Sequence, residues 1–433
     1  MQLKEAQGNS RDAELVHSAS RNDGGIMDVK KMPRNLVALV CRSLAMVCLA
    51  VMLQACSTGG VNMGSLFSDD KSDAGTQTQQ QQPVQPPASS GPVKVALLLP
   101  LSAPGQTAVI GKALKNAAEA ALLDAGSQGI QLVTKDTFGN ADGARTAANA
   151  ALNDGASLIL GPLLSSEVQA IAPIARQRGV PIIAFSSVAS VAGNGVYLMS
   201  FLPGEEVSNL IRHASQQGIR NIAAMVPQNA YGSAAEQALS EAAGRNGVQI
   251  VAMDRYPRNA GAATTISQAV AGKVSNPTNG IQGLFLPEGG EMLAAVANGL
   301  SNAGLAPGRV RMLGTGLWDE RSTSSIALMN GGWYAGVSPA LVERFDARYR
   351  QTYGNSPPRI ASLAYDAVSL AVIAGRNAPG GRISSSAITN PEGFRGVNGL
   401  FRFRQSGLIE RGLSILEVTP TGPREVSPAP QRF

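Results

Sequence analysis

The chain has 433 residues and a formal charge of +6, from 36 Lys and Arg against 30 Asp and Glu. Hydrophobic residues make up 44% of it, enough for a large core, so wholesale disorder is excluded and two or three domain-sized units are expected. The positive excess is mild and not blocky, which gives no case for nucleic-acid binding.

Residues 36–53 form an apolar stretch broken by Arg42 and preceded by Lys30, Lys31 and Arg34. Its uninterrupted part, Leu44 to Leu53, is too short to span a bilayer and suits a signal-peptide core. Leu53-Gln54-Ala55-Cys56 then resembles a bacterial lipobox, which implies lipid on Cys56 and a membrane anchor. Residues 1–55 are thus read as an N-terminal extension plus signal peptide, starting at Met1, Met27 or Met32. Cys41 and Cys48 leave with it, so the mature part has no disulfide and no cysteine metal site. His213 becomes its single histidine, which rules out a multi-histidine metal site. Residues 56–91 continue as the lipidated Cys and a disordered tether rich in Gln, Pro and Ser, spanning roughly 33 Å as a coil. Ser57 after the lipid site, by the sorting rule for such lipoproteins, implies the outer membrane, facing the periplasm.

From residue 92 the pattern alternates strand and helix. Val93–Pro100 is a nearly continuous apolar run, as a buried parallel strand requires. A helix over 108–125, a strand over 130–134, an Ala-rich helix over 142–154, a strand over 158–160, a helix over 165–178 and a strand over 180–185 follow. A second run places helices over 205–217, 234–246, 262–271 and 291–302 between strands over 222–226, 248–253, 283–286 and 310–314. Helices over 340–353 and 361–375 come next, then an antiparallel pair, 399–404 with 413–419, around Ser406-Gly407. The layout is α/β with two doubly wound units and a cleft.

Three segments carry a family resemblance. VKVALLLPLSAPGQTAVIGKALKNAAEAAL supplies a first strand, loop and helix; TFGNADGARTAANAALNDGASLILGPLLSSEVQAIAPIARQRGVPIIAFSS a hydroxyl-bearing turn on either side of a helix; and NIAAMVPQNAYGSAAEQAL a Tyr-Gly turn. In order and spacing they resemble the type I periplasmic binding proteins, the branched-chain amino-acid-binding branch, over residues 92–420. The resemblance implies a two-lobed fold with a parallel doubly wound sheet in each lobe and three interlobe crossings, near 201–203, 335–338 and 397–400. Lobe one would take 92–202 and 337–398, lobe two 203–336 and 399–420, with 421–433 a tail. It also implies ligand contacts from Ser165 and Ser166, from Ser186 and Ser187, and from Tyr231, with Ser102 in the first loop. Ser166 and Gln169 read equally as a capping box. The acid that holds an amino acid's ammonium in that family has no clear counterpart in Gly314–Asp319; Glu288 is the substitute, and Trp318 is either a stacking platform or core.

No phosphate loop and no catalytic pair is visible, so no enzyme, no cofactor and no metal are expected. His213 lies in a helical stretch with a structural reading, and Glu205-Glu206 sits at a helix start, where the macrodipole favours acids. Two functions follow from the resemblance. One is a lipoprotein that activates a penicillin-binding protein, a peptidoglycan synthase, through a surface rather than the cleft. The alternative is the solute receptor of an ABC importer, with a permease and a small polar ligand as partners.

Overall fold

The structure is a computed structural model. The described residues are 91–126, 129–376 and 378–433, and they belong to one compact unit. The expected signal segment, Cys56 and the tether up to residue 90 lie outside them.

The first lobe is built on β1 (Val93–Leu99), β2 (Ile130–Asp136), β3 (Leu158–Leu160), β4 (Ile182–Ala184) and β5 (Val196–Leu198). They form a parallel sheet in the order β2-β1-β3-β4-β5, with Val95 level with Leu132 on one side and Leu158 on the other. Helices α1 (Gln106–Asp124), α2 (Ala141–Asn153) and α3 (Ser165–Gln177) make the crossovers. Alternate residues of β1 face opposite layers: Val95, Leu97 and Leu99 enter one core, Ala96 and Leu98 the other.

The chain passes to the second lobe between β5 and α4 (Pro203–Gln216). There β6 (Asn221–Pro227), α5 (Ala230–Asn246), β7 (Gln249–Tyr256), α6 (Ala260–Ser275), β8 (Gly283–Leu286), α7 (Gly290–Asn302), β9 (Arg311–Gly314), the short α8 (Arg321–Ser324) and β10 (Trp333–Gly336) follow. It returns through α9 (Pro339–Tyr353) and α10 (Ala361–Arg376), then the short α11 (Ser385–Ile388). Helix α10 packs on α1, and Leu363, Ala364, Ala367 and Val368 complete the first-lobe core.

The C-terminal strands depart from the expectation. Residues β11 (Phe394–Gly396), β12 (Gly399–Phe403) and β13 (Ile409–Arg411) form a small antiparallel sheet of their own. Phe394, Phe401 and Phe403 sit in the first-lobe core, so 399–403 belongs there and the third crossing falls after Arg411. Strand β14 (Ser414–Thr419) pairs with β10 rather than with β12, because its Leu416 and Val418 fill the second core. The expected tail supplies β15 (Gly422–Ser427), antiparallel to β14, giving the second sheet the order β15-β14-β10-β9-β8-β6-β7. Beyond it, Phe433 lies under the Arg402 guanidinium, 4.3 Å from its centre, and so rejoins the small sheet.

Candidate functional site

In each doubly wound sheet the crossovers reverse at the first strand laid down, and the loops at the carboxyl ends of the strands border a crevice. In lobe one these loops follow β1, β3 and β4 and carry Ser102, Ser165, Ser166, Ser186 and Ser187. In lobe two they follow β6, β8 and β9 and carry Tyr231, Glu288 and Trp318.

Asp136, at the end of β2, ties the first loop. Its Oδ1 accepts the backbone N–H of Leu101 at 2.9 Å, Ser102 at 3.3 Å and Phe138 at 2.8 Å. Burial opposes its ionisation, but the bonds from Ser102, Phe138 and Leu101 outweigh that and hold the carboxyl below the usual range. Ser102 is therefore partly spent on its own loop. Ser165 and Ser166 open α3, and the capping differs from the expected box. Glu167 closes the helix start, with Oε2 accepting Leu164 N at 3.2 Å and Oε1 accepting Thr137 Oγ1 at 2.6 Å. Burial pushes the Glu167 carboxyl up against those two bonds. The hydroxyls of Ser165 and Ser166 consequently have no protein partner among the described residues.

Ser186 is buried, and its Oγ accepts Val188 N at 3.2 Å. Ser187 is exposed and meets Tyr231 across a cavity of about 640 Å³. The cavity is walled by Val188, Leu202 and Leu408 of lobe one and by Pro203 and Ala234 of lobe two, so it lies between the lobes. Tyr231 donates its hydroxyl hydrogen to Thr315 Oγ1 at 2.8 Å. Burial first, then the charge of Glu206, drive its phenol above the ordinary value, so it stays a neutral donor.

Glu288 and Trp318 are committed elsewhere. The Glu288 carboxylate is buried and accepts Tyr256 Oη at 3.0 Å, Arg258 Nε and Nη2 at 3.3 Å each, and Gly289 N at 3.1 Å. Trp318 is 1% exposed and packs in the second-lobe core beside Tyr334, centroids 6.4 Å apart. A Cβ on Gly314 would lie inside its indole, so that glycine is needed and the covered ring has no face for a stacked ligand. Of the two readings of Trp318, the core one stands.

A charged cluster at the crossings had no sequence signal. Phe201, on the first crossing, has the Arg359 guanidinium 4.1 Å from its ring and that of Arg411 at 5.0 Å. Arg359 Nη1 donates to Gly316 O at 2.8 Å, and Glu206 Oε2 accepts Gly316 N at 2.9 Å. Burial pushes the Glu206 carboxyl up, with Arg359 and Gly316 opposing. Arg411 is buried and donates to Ser200 O at 3.3 Å, and desolvation pulls it down to about 10 against the attraction of Asp366. Burial likewise pushes the Asp366 carboxyl up, and it accepts Val397 N at 2.7 Å and Asn398 Nδ2 at 2.8 Å. Glu206 was legible only as a helix-start acid, and Arg359 carried no signal. Their pairing is visible only in three dimensions.

Among the described residues, no group of three or more His, Cys, Asp or Glu is placed to hold a metal, and no helix is long and apolar enough to cross a membrane. Of the expected site residues the cavity brings together Ser187 and Tyr231 on an apolar wall, while Ser102, Ser165, Ser166 and Ser186 are not among its lining residues.

Comparison with known proteins agrees with this architecture. The family described as periplasmic binding protein matches residues 92–422. A Leu/Ile/Val-binding protein homolog from Brucella abortus is 27% identical over 235 residues, 50% of this chain. The match spans only 58% of that relative's length. A putative branched-chain amino acid ABC transporter protein from Rhodospirillum rubrum superposes with a TM-score of 0.68 at 21% identity, covering 77% of this chain and all of the other. An ABC transporter substrate-binding protein from Desulfitobacterium hafniense, solved with Leu, gives 0.59 at 17% identity over 78% and 100% of the two chains. At these identities the likeness establishes the fold.

Proposed function

The chain belongs to the periplasmic binding protein family, in its leucine-binding-like type I branch, and from that premise we propose that it is a non-catalytic solute receptor of an ABC importer. Membership implies an extracytoplasmic, periplasmic location. The observation that carries the proposal is the cavity shared by Ser187 of one lobe and Tyr231 of the other. A solute there gains apolar contact from Leu202, Pro203 and Ala234, a hydrogen bond from the Ser187 hydroxyl, and an acceptor in the Tyr231 oxygen, whose own hydrogen goes to Thr315. The solute has an apolar body; Glu288, committed to Arg258 and Tyr256, is not its acidic partner, and the carboxylates in the cavity wall are those of Glu205 and Glu241.

Thermal shift tests this. A panel of branched-chain and aromatic amino acids, their keto acids and peptidoglycan fragments is titrated against the protein. A solute at a hundred times its dissociation constant stabilises by about 2.7 kcal/mol. Tyr231→Ala abolishes that shift while the unliganded protein still melts cooperatively; a shift that survives the substitution refutes the site.

The engaged state of Glu288 favours a second reading, an anchored activator of a peptidoglycan synthase that needs no solute. Cys56 would carry its lipid and anchor it in the outer membrane. Co-purification with a bifunctional penicillin-binding protein, together with no shift across the panel, would move the assignment to that reading.

A further inference from the structure

Arg359 stands in lobe one, between α9 and α10, yet its guanidinium is received by lobe two. Beyond the 2.8 Å bond from Nη1 to Gly316 O, its Nη2 is 3.8 Å from Glu206 Oε1 and its Nε 3.9 Å from Asp319 Oδ2. The Phe201 ring lies beneath it at 4.1 Å. Each acceptor is already fixed by lobe two itself: Glu206 by Gly316 N–H at 2.9 Å, and Asp319 by Tyr334 Oη at 3.2 Å. A Cβ at position 316 would collide with both Glu206 and Arg359, so the glycine keeps the corner open. A flat cation with an aromatic face below and a carbonyl and two carboxylates around its edge is the arrangement that suits a guanidinium, and suits an ammonium less well.

We propose that lobe two carries a guanidinium-binding subsite whose resident occupant is Arg359 of lobe one, so that the protein clamps its own lobes together without solute. A solute bearing a guanidinium or another planar cation competes for the same corner. The clamp is displaceable: both carboxylate contacts are long, the Arg359 side chain is 31% exposed, and its Nη2 makes no hydrogen bond. The subsite adjoins the Ser187–Tyr231 cavity through the Tyr231–Thr315 bond beside Gly316, but Arg359, Glu206, Gly316 and Asp319 do not line that cavity, and the subsite stands whether or not a solute binds there.

The experiment uses the full chain and its Arg359→Ala variant, each checked for fold by circular dichroism. Methylguanidinium is titrated by calorimetry, with neutral N-methylurea as the control of equal shape. The variant binds methylguanidinium at least tenfold more tightly than the wild type, and neither binds methylurea. Adding Glu206→Gln to Arg359→Ala removes the gain. In small-angle scattering the single variant is more open than the wild type, and millimolar methylguanidinium, which fills the corner without joining it to lobe one, leaves it open. Equal affinity of variant and wild type, or equal response to methylurea, overturns the subsite; identical scattering overturns the clamp. Should Arg359→Ala fail to fold, Arg359→Met keeps the apolar stem over Phe201 and gives the same readouts.

Discussion

Asp136 shows how one side chain can organise a rim of the cleft. It holds three consecutive-loop amides, and one of them belongs to Phe138, whose φ of 55° is uncommon for a residue with a Cβ. Asp136→Asn should cost about 1–3 kcal/mol at pH 7, because a charged acceptor of several N–H groups becomes a neutral one. The sign with pH follows from the lowered native value. Asp136 contributes above the unfolded carboxyl range and loses that contribution as pH falls through its depressed native value. Urea midpoints of the two proteins should therefore converge towards pH 3 and separate at pH 7; a gap constant with pH would contradict this. Trp318→Ala belongs to the same scale. A buried indole packed over two glycines leaves a cavity that cannot close, so about 3–5 kcal/mol is lost in denaturant unfolding. A loss below 1 kcal/mol would mean the ring is not packed as described. Residue chemistry was only partly legible beforehand. The hydroxyls of Ser165 and Ser187 stand out beside their turns, whereas the role of Glu206 depends on Arg359 and Gly316, each more than a hundred residues away along the chain.

Both lobes start a helix by the same device. Asn140 caps α2 through Gly143 N at 2.9 Å, and Asn229 caps α5 through Gly232 N at 2.7 Å. In each case the glycine lies on the last carbonyl region of the preceding strand, Thr137 O or Pro227 O, where any Cβ would clash. The device sets Tyr231 between cap and glycine and so aims it at the cleft. Gly232→Ala should both lower the melting temperature and weaken solute binding, while Gly244→Ala, on the same helix with open space around it, should do neither. Similar melting points for the two variants would argue against this account. At this scale the sequence reading was close. Helix periodicity and glycine stops located the long helices to within a few residues, since those signals are local. Strands β5 and β10 were not foreseen, although they are no shorter than β3 and β8, which were. The partner of β14 was misassigned because pairing is a property of the second core, not of the turn at Ser406-Gly407.

The two lobes are each discontinuous in sequence, and each is finished by a later segment. Helix α10 buries Leu363, Ala367 and Leu370 against the first sheet, and β14 adds Leu416 to the second. A fragment of residues 92–336 should accordingly show helical content without a cooperative melt; a sharp transition would show that the first two segments suffice alone. The overall fold was legible because the order and spacing of the βα units repeat along the chain. The content of the cleft was not, because it depends on how three crossings bring Phe201, Arg359 and Arg411 to one point.

The late arrival of α10 also bears on biogenesis. All five strands of the first sheet have been synthesised by Leu198, but the helix that covers one of its faces begins only at Ala361. For the intervening stretch α1 alone lies on that face, and the nascent polypeptide exposes the rest of a greasy surface, a state prone to self-association. A holding chaperone during synthesis or export is the natural remedy, and depleting it should leave insoluble deposits of this chain.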